Sequence, residues 1–448
     1  MRRALGILLL PLYLAGSVSV GDDWPQWRGP NRDGVSRETD WLHQWPPVEQ
    51  WRVTLAPGYS SMSISDGKLY TMGQCVVSGK PASNIVYCLD VRDGSEIWST
   101  AYATLGNGYR ASFATPTVQD GRVYTFSSRG QIHCFDKLTG SNVWGVTEYW
   151  GSPNHKPSSS PLVEGDLVVV NMSGSGVAVH KDTGVRVWPA TPAGKAGYSS
   201  AIAFTWNSQR ILALTAHRTV FGLRPTTGEQ IWSHHWHSLG DNSPDPVLYG
   251  NKLLLSGTSW QLFEERRGIL LPVWPRAREI WSDTSSPVLI GDYVYGFGLV
   301  PDGEMGIVCM DIRDGTVQWA SHGPHVPYHA EGALSAAGDK LIVQDYHPSW
   351  TSAQPYLHIL EATPAGYNTG GREPYATGCD ARGVADCTRC MPVLSDGKIY
   401  CRGFSTLVCL QVGRPEEQFR LHFDAAVSES AGTITGIRRA RSRLDSTG

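Results

Sequence analysis

The stretch that decides the fold is CLDVRDGSEIW, residues 88–98, in which an Asp, a Gly and a Trp follow one another at intervals of four residues. The segments CFDKLTGSNVW (134–144) and CMDIRDGTVQW (309–319) repeat this spacing, and AVHKDTGVRVW (178–188) and GLRPTTGEQIW (222–232) keep the Gly and the Trp. Self-similarity at a fixed period indicates a repeat architecture, in which each repeat is one supersecondary unit.

The aligned tryptophans are residues 98, 144, 188, 232, 281 and 319. Upstream of each lies a strand, a tight turn and a second strand, as in ATPTVQDGRVYTFS (114–127). Four short strands about every 45 residues are typical of a β-propeller blade. The unit that ends at Trp281 departs from the pattern, because Ala277 stands where the turn glycine is expected.

Two further units, at 332–363 and 391–412, lack the tryptophan, and the last one lacks a fourth strand. We expect residues 49–55 to supply that strand, because closing the ring removes two exposed sheet edges. The predicted fold class is therefore all-β, an eight-bladed propeller with tryptophan-docking motifs and a ring closed by an N-terminal strand. The expected boundaries are a signal peptide at 1–21, a leader at 22–48, the propeller at 49–413 and a polar, disordered tail at 414–448.

The repeated residues are interpreted as structural. A glycine adopts a positive φ in a tight turn without steric cost, an Asp accepts hydrogen bonds from the turn backbone, and a large flat ring covers the gap between blades. The structural set comprises Trp98, Trp144, Trp188, Trp232, Trp281 and Trp319 with Gly94, Gly140, Gly184, Gly228 and Gly315.

The repeated D-x3-G-x3-W motif resembles the tryptophan-docking motif of the pyrroloquinoline quinone (PQQ) repeat family. That family includes quinoprotein alcohol dehydrogenases and the outer-membrane assembly propeller lipoprotein. The resemblance covers nearly all of residues 51–413, and the leader DWPQWRGPNRDGVS (23–36) looks like that of secreted PQQ-like propellers. It implies either a scaffold protein or an oxidoreductase with PQQ and calcium.

The N-terminus has the organisation of an export signal: Arg2 and Arg3 precede an apolar run at 4–16, which is followed by small residues. An uncleaved anchor is the alternative. Ser17 stands where a bacterial lipoprotein signal needs Cys. The sequence therefore predicts an exported protein, periplasmic or extracellular, that is not a lipoprotein.

Long connections follow the second and fourth strands of the blades, and strand alternation places them on one face of the ring. Binding residues concentrate on loops held by a rigid scaffold. His325, His329 and Glu331 are candidate metal ligands there, against the alternative of ordinary surface polar groups. Arg110, Lys156 and Tyr198 occupy similar positions on the facing blades and are candidate contacts for an anionic cofactor, against the alternative of a solvated rim.

The cysteines form two groups and a singleton, Cys75. Four of them share one third-strand position and are interpreted as buried free thiols: Cys88, Cys134, Cys309 and Cys409. Four others cluster beside blade eight, where an exported protein favours disulfides and a zinc site is the alternative: Cys379, Cys387, Cys390 and Cys401.

The formal net charge of -3 and the 18% of charged residues give no basic stripe, so nucleic acid is not expected as a partner. We expect a monomeric, non-catalytic binding module whose loop-rich face takes a protein, peptide or glycan. The alternative is a PQQ-dependent dehydrogenase of alcohols or sugars with Asp283 and Glu331 as catalytic or cation-binding residues. The chain lacks the adjacent Cys-Cys pair and long insertions that the resemblance leads one to expect of the alcohol-oxidising branch.

Overall fold

The structure is a computed structural model that describes residues 23–77, 80–105, 112–148, 158–172, 175–189, 197–216, 218–236, 243–257, 259–277, 280, 282, 285–299, 305–322, 332–346, 355–366, 369–374 and 390–414. These residues form eight antiparallel blades, each with four consecutive strand positions from the inside to the outside. The predicted eight-bladed all-β propeller is confirmed.

The first four blades follow two leading strands, β1 (Val35–Ser36) and β2 (Val48–Thr54). Blade one contains β3 (Ser63–Ser65), β4 (Lys68–Val77), β5 (Lys80–Asp90) and β6 (Glu96–Ala103). Blade two contains β7 (Thr117–Gln119), β8 (Arg122–Phe126), β9 (Gln131–Asp136) and β10 (Asn142–Thr147). Blade three contains β11 (Leu162–Glu164), β12 (Leu167–Val170), β13 (Val177–His180) and β14 (Arg186–Trp188). Blade four contains β15 (Ile202–Trp206), β16 (Gln209–Thr215), β17 (Thr219–Leu223) and β18 (Gln230–His235).

The other four blades complete the ring. Blade five contains β19 (Val247–Tyr249), β20 (Lys252–Leu255), β21 (Gln261–Arg266) and β22 (Ile269–Pro272). Blade six contains β23 (Val288–Ile290), β24 (Tyr293–Leu299), β25 (Met305–Asp311) and β26 (Val317–His322). Blade seven contains β27 (Ala333–Ala337), β28 (Lys340–Tyr346), β29 (Pro355–Glu361) and β30 (Thr369–Pro374). Blade eight contains β31 (Val393–Ser395), β32 (Lys398–Arg402) and β33 (Thr406–Gln411), with β2 as its outermost strand.

Blade eight combines a strand from the N-terminal part of the described chain with three strands from its C-terminal part. Strand β2 pairs antiparallel with β33, which places Trp51 opposite Cys409 and Val48 opposite Gln411. Strand β1 pairs in parallel with the inner strand β27, Val35 opposite Ala336. The N-terminal segment therefore contributes a strand at the outer edge of the ring and another at its centre.

Tryptophans link each blade to the next in most of the ring. The indole Nε1 donates to a backbone carbonyl of the following blade at 2.7–3.1 Å, in the pairs Trp51–Val91, Trp98–Lys137, Trp144–Lys181, Trp188–Pro225, Trp274–Ile312 and Trp319–Thr363. The same rings cover the turn glycines: a Cβ built on Gly140, whose φ is +69°, would lie 2.5 Å from the Trp98 ring. In the turn of blade two, Asp136 accepts hydrogen bonds from the backbone NH groups of Leu138 and Thr139.

Blade five corrects the predicted register. Its last hairpin turns at Arg267 and Gly268, with φ of 56° and 80°, so Ala277 does not replace a turn glycine. The docking position is occupied by Trp274, which lies over Gly315 and donates to Ile312, while Trp281 lies outside the described residues. Trp232 departs as well: within the described part of the chain its Nε1 has no hydrogen-bond partner, and its ring packs on Trp206 at 5.9 Å.

The four equivalent cysteines are buried free thiols, as predicted. Each lies between a tyrosine of the second strand and a tryptophan of the fourth, as Cys88 does between Tyr70 and Trp98. Burial raises the pKa of each thiol, to about 11 for Cys88 and to about 12 for the other three, Cys134, Cys309 and Cys409. These thiols are therefore packing groups of the blades.

Candidate functional site

The two faces of the ring differ in their connections. The first and second strands of a blade are joined by tight turns such as Asp66–Gly67, and the third and fourth by turns such as that of Gly94, so both kinds lie on one face, the short-turn face. The other two kinds of connection lie on the opposite, loop-rich face, where each inner strand begins. Blade one differs from the other blades on this face, because β4 and β5 form a long hairpin in which residues 73–84 are mostly strand.

Five residues, each two positions before the first residue of an inner strand, form a hydrogen-bonded belt around the axis: Thr115, Ser160, Ser200, Asp245 and Ser286. The backbone NH of each of the first four donates to the side-chain oxygen of the next one, at 2.6–2.9 Å. The belt therefore links blades two to six near the loop-rich end of their inner strands. Blades seven and eight have Ala333 and Met391 at the aligned position, which offer no side-chain oxygen.

The leader fills the axial channel as a hairpin. Asp23 accepts hydrogen bonds at the first turn of blade one, from the Ser65 hydroxyl and the Asp66 NH, and Trp24 exchanges two backbone hydrogen bonds with Ile64. The returning arm is β1, beside the inner strand of blade seven. The first arm begins at the short-turn face, beside the Ser65–Asp66 turn, and the second arm returns to that face beside Ala337. The tip between the two arms therefore lies toward the loop-rich face.

Two buried arginines hold the upper part of this hairpin, and of their guanidinium nitrogens only Nη1 of Arg28 lacks a hydrogen-bond partner within the described residues. The guanidinium of Arg32 donates to the backbone carbonyls of Ala201, at 2.8 Å, and Pro161. The Arg28 guanidinium donates to the backbone carbonyls of Arg32 and Asp33 and, at 2.8 Å, to that of Pro287 in blade six. Burial lowers the pKa of both groups, in Arg32 to about 10.

Asp245 is the acidic member of the belt and the counterion of this hairpin. One carboxylate oxygen accepts the Ser200 NH at 2.6 Å, and the other accepts the Trp27 indole NH at 2.6 Å and lies 4.0 Å from Arg28 Nε. Burial raises the pKa of this carboxyl group, and Arg28 and the two donors oppose that shift. Asp245 therefore binds the leader rather than a ligand.

The tip of the hairpin is its exposed part. Gly29 and Arg32 are buried, whereas Pro30 and Asn31 between them are exposed. Because the two flanking arginines contact the carbonyls that precede the inner strands, this tip lies toward the loop-rich side.

An aromatic cluster joins blades eight, one and two. Tyr59 stacks on Phe113 with ring centroids 5.0 Å apart and packs against Phe404 at 5.2 Å. Beneath it is the fully buried guanidinium of Arg402, which donates to the Thr71 hydroxyl and, at 3.3 Å, to the backbone carbonyl of Ala56. Burial lowers the pKa of Arg402.

Few of the predicted ligand-binding residues can be placed. Arg110, Lys156, Asp283, His325, His329 and Glu331 lie outside the described residues, as do Cys379 and Cys387. Tyr198 is half-buried beside Ser199 and belt residue Ser200. His234 belongs to β18, where its ring packs on Phe263 with ring centroids 4.6 Å apart. Cys390 and Cys401 are buried thiols in the structure, and since Cys379 and Cys387 lie outside the described residues the disulfide among these four cysteines stays a prediction.

The sequence contained a signal for the belt that the prediction missed. The segments SSPLV (159–163) and SSPVL (285–289) repeat a hydroxyl residue before a proline at the start of an inner strand, and SPDPV (243–247) replaces that residue by an acid. The substitution marks the blade that anchors the leader. In the described ranges there is no group of three or more His, Cys, Asp or Glu residues placed to hold a metal ion. The same ranges contain no helix that is long and apolar enough to cross a membrane.

The fold defines an eight-bladed β-propeller. The sequence model of the family described as outer membrane protein assembly factor BamB matches residues 82–321, more than half of the chain. The chain therefore belongs to that family. A comparison with curated proteins found no significant match.

Solved structures of BamB and of alcohol-oxidising enzymes show the same fold. BamB from Moraxella catarrhalis is 16% identical, covers 82% of this chain and 97% of its own, and has a TM-score of 0.56. A europium-containing methanol dehydrogenase is 12% identical over 85% of this chain and 89% of its own, with a TM-score of 0.64. The quinohemoprotein alcohol dehydrogenase of Comamonas testosteroni is 12% identical over 88% and 81%, with a TM-score of 0.62. At these identities the likeness concerns the fold.

Proposed function

We propose that the chain is a non-catalytic binding or scaffold module of the cell envelope, a monomer that binds a protein, peptide or glycan through its loop-rich face. The observation that carries this proposal is the filled channel. The cations and the carboxylate near the axis, Arg28, Arg32 and Asp245, are bound to one another and to backbone carbonyls. What the hairpin leaves accessible is a surface of loops around an exposed tip.

The filled channel also argues against the alternative function, a PQQ-dependent dehydrogenase, as far as the described residues are concerned. PQQ is a flat tricarboxylate that needs cationic partners, and a calcium ion beside its quinone needs several oxygen ligands. Arg28 and Arg32 already donate to protein carbonyls, and both carboxylate oxygens of Asp245 are occupied. These residues therefore do not fit the cofactor.

A cofactor titration tests the enzymatic alternative. The purified protein is titrated with PQQ and calcium, with tryptophan fluorescence as the measurement, and is then assayed with an alcohol or a sugar and an artificial electron acceptor. We expect no saturable quenching and no turnover. Micromolar PQQ affinity together with turnover would overturn the proposal of a binding module and assign the chain as a dehydrogenase.

Site-specific crosslinking tests the binding face directly. A photo-reactive amino acid is placed at Asn31, on the exposed tip, and as a matched control at Asp314, in a turn on the short-turn face. In the producing cell we expect a discrete crosslinked species from position 31 and none from position 314. Equal crosslinking from both positions, or crosslinking from position 314 alone, would contradict the assignment of the loop-rich face.

A further inference from the structure

Arg402 has no equivalent in the other blades. The same position of the second strand, two residues beyond the tyrosine in blade eight, is occupied by an uncharged residue elsewhere: Met72, Phe126, Asn171, Thr215, Ser256, Phe297 and Gln344. Two of these polar side chains reach the next blade, since Asn171 donates to the carbonyls of Ser199 and Thr215 and Gln344 donates to the carbonyl of Arg402. In blade eight the same link to blade one is made by a cation.

The guanidinium of Arg402 is fully buried. Within the described part of the chain Arg402 has no carboxylate partner, and its Nε has no hydrogen-bond acceptor. An ionised group out of water is stable only when it is paired and fully hydrogen-bonded. The hydroxyl of Thr71 and the carbonyl of Ala56 accept hydrogen bonds from two of the guanidinium nitrogens. The contact between blades eight and one, the seam, therefore buries a charged group whose hydration would be favourable.

The thiol of Cys390 lies in the same seam. Its sulfur donates to the carbonyl of Ser60 in blade one at 3.6 Å, and the Thr71 hydroxyl that accepts from Arg402 lies 3.4 Å from that carbonyl. Burial raises the pKa of Cys390 to about 11, which Arg402 opposes. In the closed seam the thiol is therefore protonated and shielded, whereas in an opened seam it would lie in water near a guanidinium, a setting that favours the thiolate.

We propose that Cys390 is a gated thiol that reacts with small disulfides when the seam between blades eight and one opens, and that the charge of Arg402 promotes both the opening and the reaction. Water takes the thiol proton, and the thiolate sulfur attacks one sulfur of the disulfide RS–SR. The Sγ–SR bond forms as the S–S bond breaks, and RS⁻ leaves. No other oxidant is needed, because the small disulfide is itself reduced.

The chain contains its own controls. Cys134 is buried in the third strand of blade two, outside this seam, and reports on unfolding of the ring as a whole. Cys75 is only partly buried and reports on an accessible thiol. The matched variant is Arg402→Gln, because blade seven has Gln344 at this position and uses it for the same kind of link.

The folded full chain is incubated with oxidised glutathione, and the extent of mixed disulfide at each cysteine is followed by peptide mass spectrometry. We expect Cys390 to react at least about tenfold faster than Cys134, and Arg402→Gln to slow Cys390 by about tenfold while Cys134 changes less than about twofold. Equal rates at Cys390 and Cys134 in the wild type would overturn the proposal, as would an unchanged Cys390 rate in a folded Arg402→Gln protein. If this variant does not fold, the wild-type comparison still decides.

Discussion

Replacement of Asp245 by serine tests whether the leader is a structural plug of the ring. Serine is what blades four and six have at this belt position, so Asp245→Ser keeps an acceptor for the Ser200 NH and removes only the charge. The change leaves Arg28 without its carboxylate and the Trp27 indole without its acceptor. Removing one partner of a buried ion pair costs about 3–5 kcal/mol, because the remaining charge is buried without compensation. We expect a loss of that size in the free energy of unfolding.

The control is a belt residue without charge. Ser286→Ala removes the acceptor of the Asp245 NH and should cost about 1–3 kcal/mol. Urea unfolding followed by tryptophan fluorescence measures both variants, and Arg28→Met combined with Asp245→Ser gives the coupling between the charges. If Asp245→Ser costs no more than Ser286→Ala, the buried ion pair does not anchor the leader and the filled channel loses its energetic basis.

Three further outcomes are expected from urea unfolding. Gly140→Ala should lower the free energy of unfolding by about 3 kcal/mol or more, because the new Cβ meets the Trp98 ring. The control Gly121→Ala, at a similar φ with nothing within 4 Å of the new Cβ, should lower it by about 1–2 kcal/mol. Equal losses would contradict the contact between Trp98 and Gly140. Trp274→Ala should cost about 3–5 kcal/mol, and a loss below about 1 kcal/mol would refute the revised register of blade five. Burial lowers the pKa of His133 to about 4, so on acidification the unfolded chain takes up a proton before the folded chain does. The free energy of unfolding should therefore fall from about pH 6.5 toward pH 4, by at most about 3 kcal/mol. His133→Phe should remove this part of the pH dependence, and a pH dependence that the substitution leaves unchanged would contradict the argument.

The fold could be predicted because its determinants are local and repeated. A glycine at positive φ and a tryptophan four residues later lie within one hairpin, so their spacing survives in the sequence wherever the hairpin does. Blade five was misread because its hairpin turns at Arg267–Gly268 and has no Asp before the glycine. Trp281 ends a segment that resembles the other repeats, yet Trp274 lies 42 residues after Trp232 and 45 before Trp319, which is closer to the spacing of the ring.

The candidate site could be predicted only in outline. The loop-rich face follows from strand alternation, but the contacts that fill the channel join residues far apart in sequence, such as Trp27 and Asp245, separated by 218 positions. Locally, PQWRGPNRDG (25–34) indicates only a turn. Nothing local shows that Arg28 and Arg32 adopt φ of 62° and 57°, a conformation that costs a non-glycine residue energy and persists only when surrounding contacts hold it.

Those contacts also explain why the plug carries arginines. The belt consumes backbone NH groups, and the next residue in blades two, three, five and six is a proline, which has no NH to offer. The start of the inner strands therefore presents mainly carbonyl acceptors toward the axis, including those of Pro161 and Pro287. A guanidinium has five NH donors and no acceptor, so it matches such a ring, whereas a carboxylate would find few donors there. Asp245 supplies negative charge at one position of the belt. The carbonyls and this carboxylate together favour a leader that carries two arginines, and these arginines hold the leader in the channel.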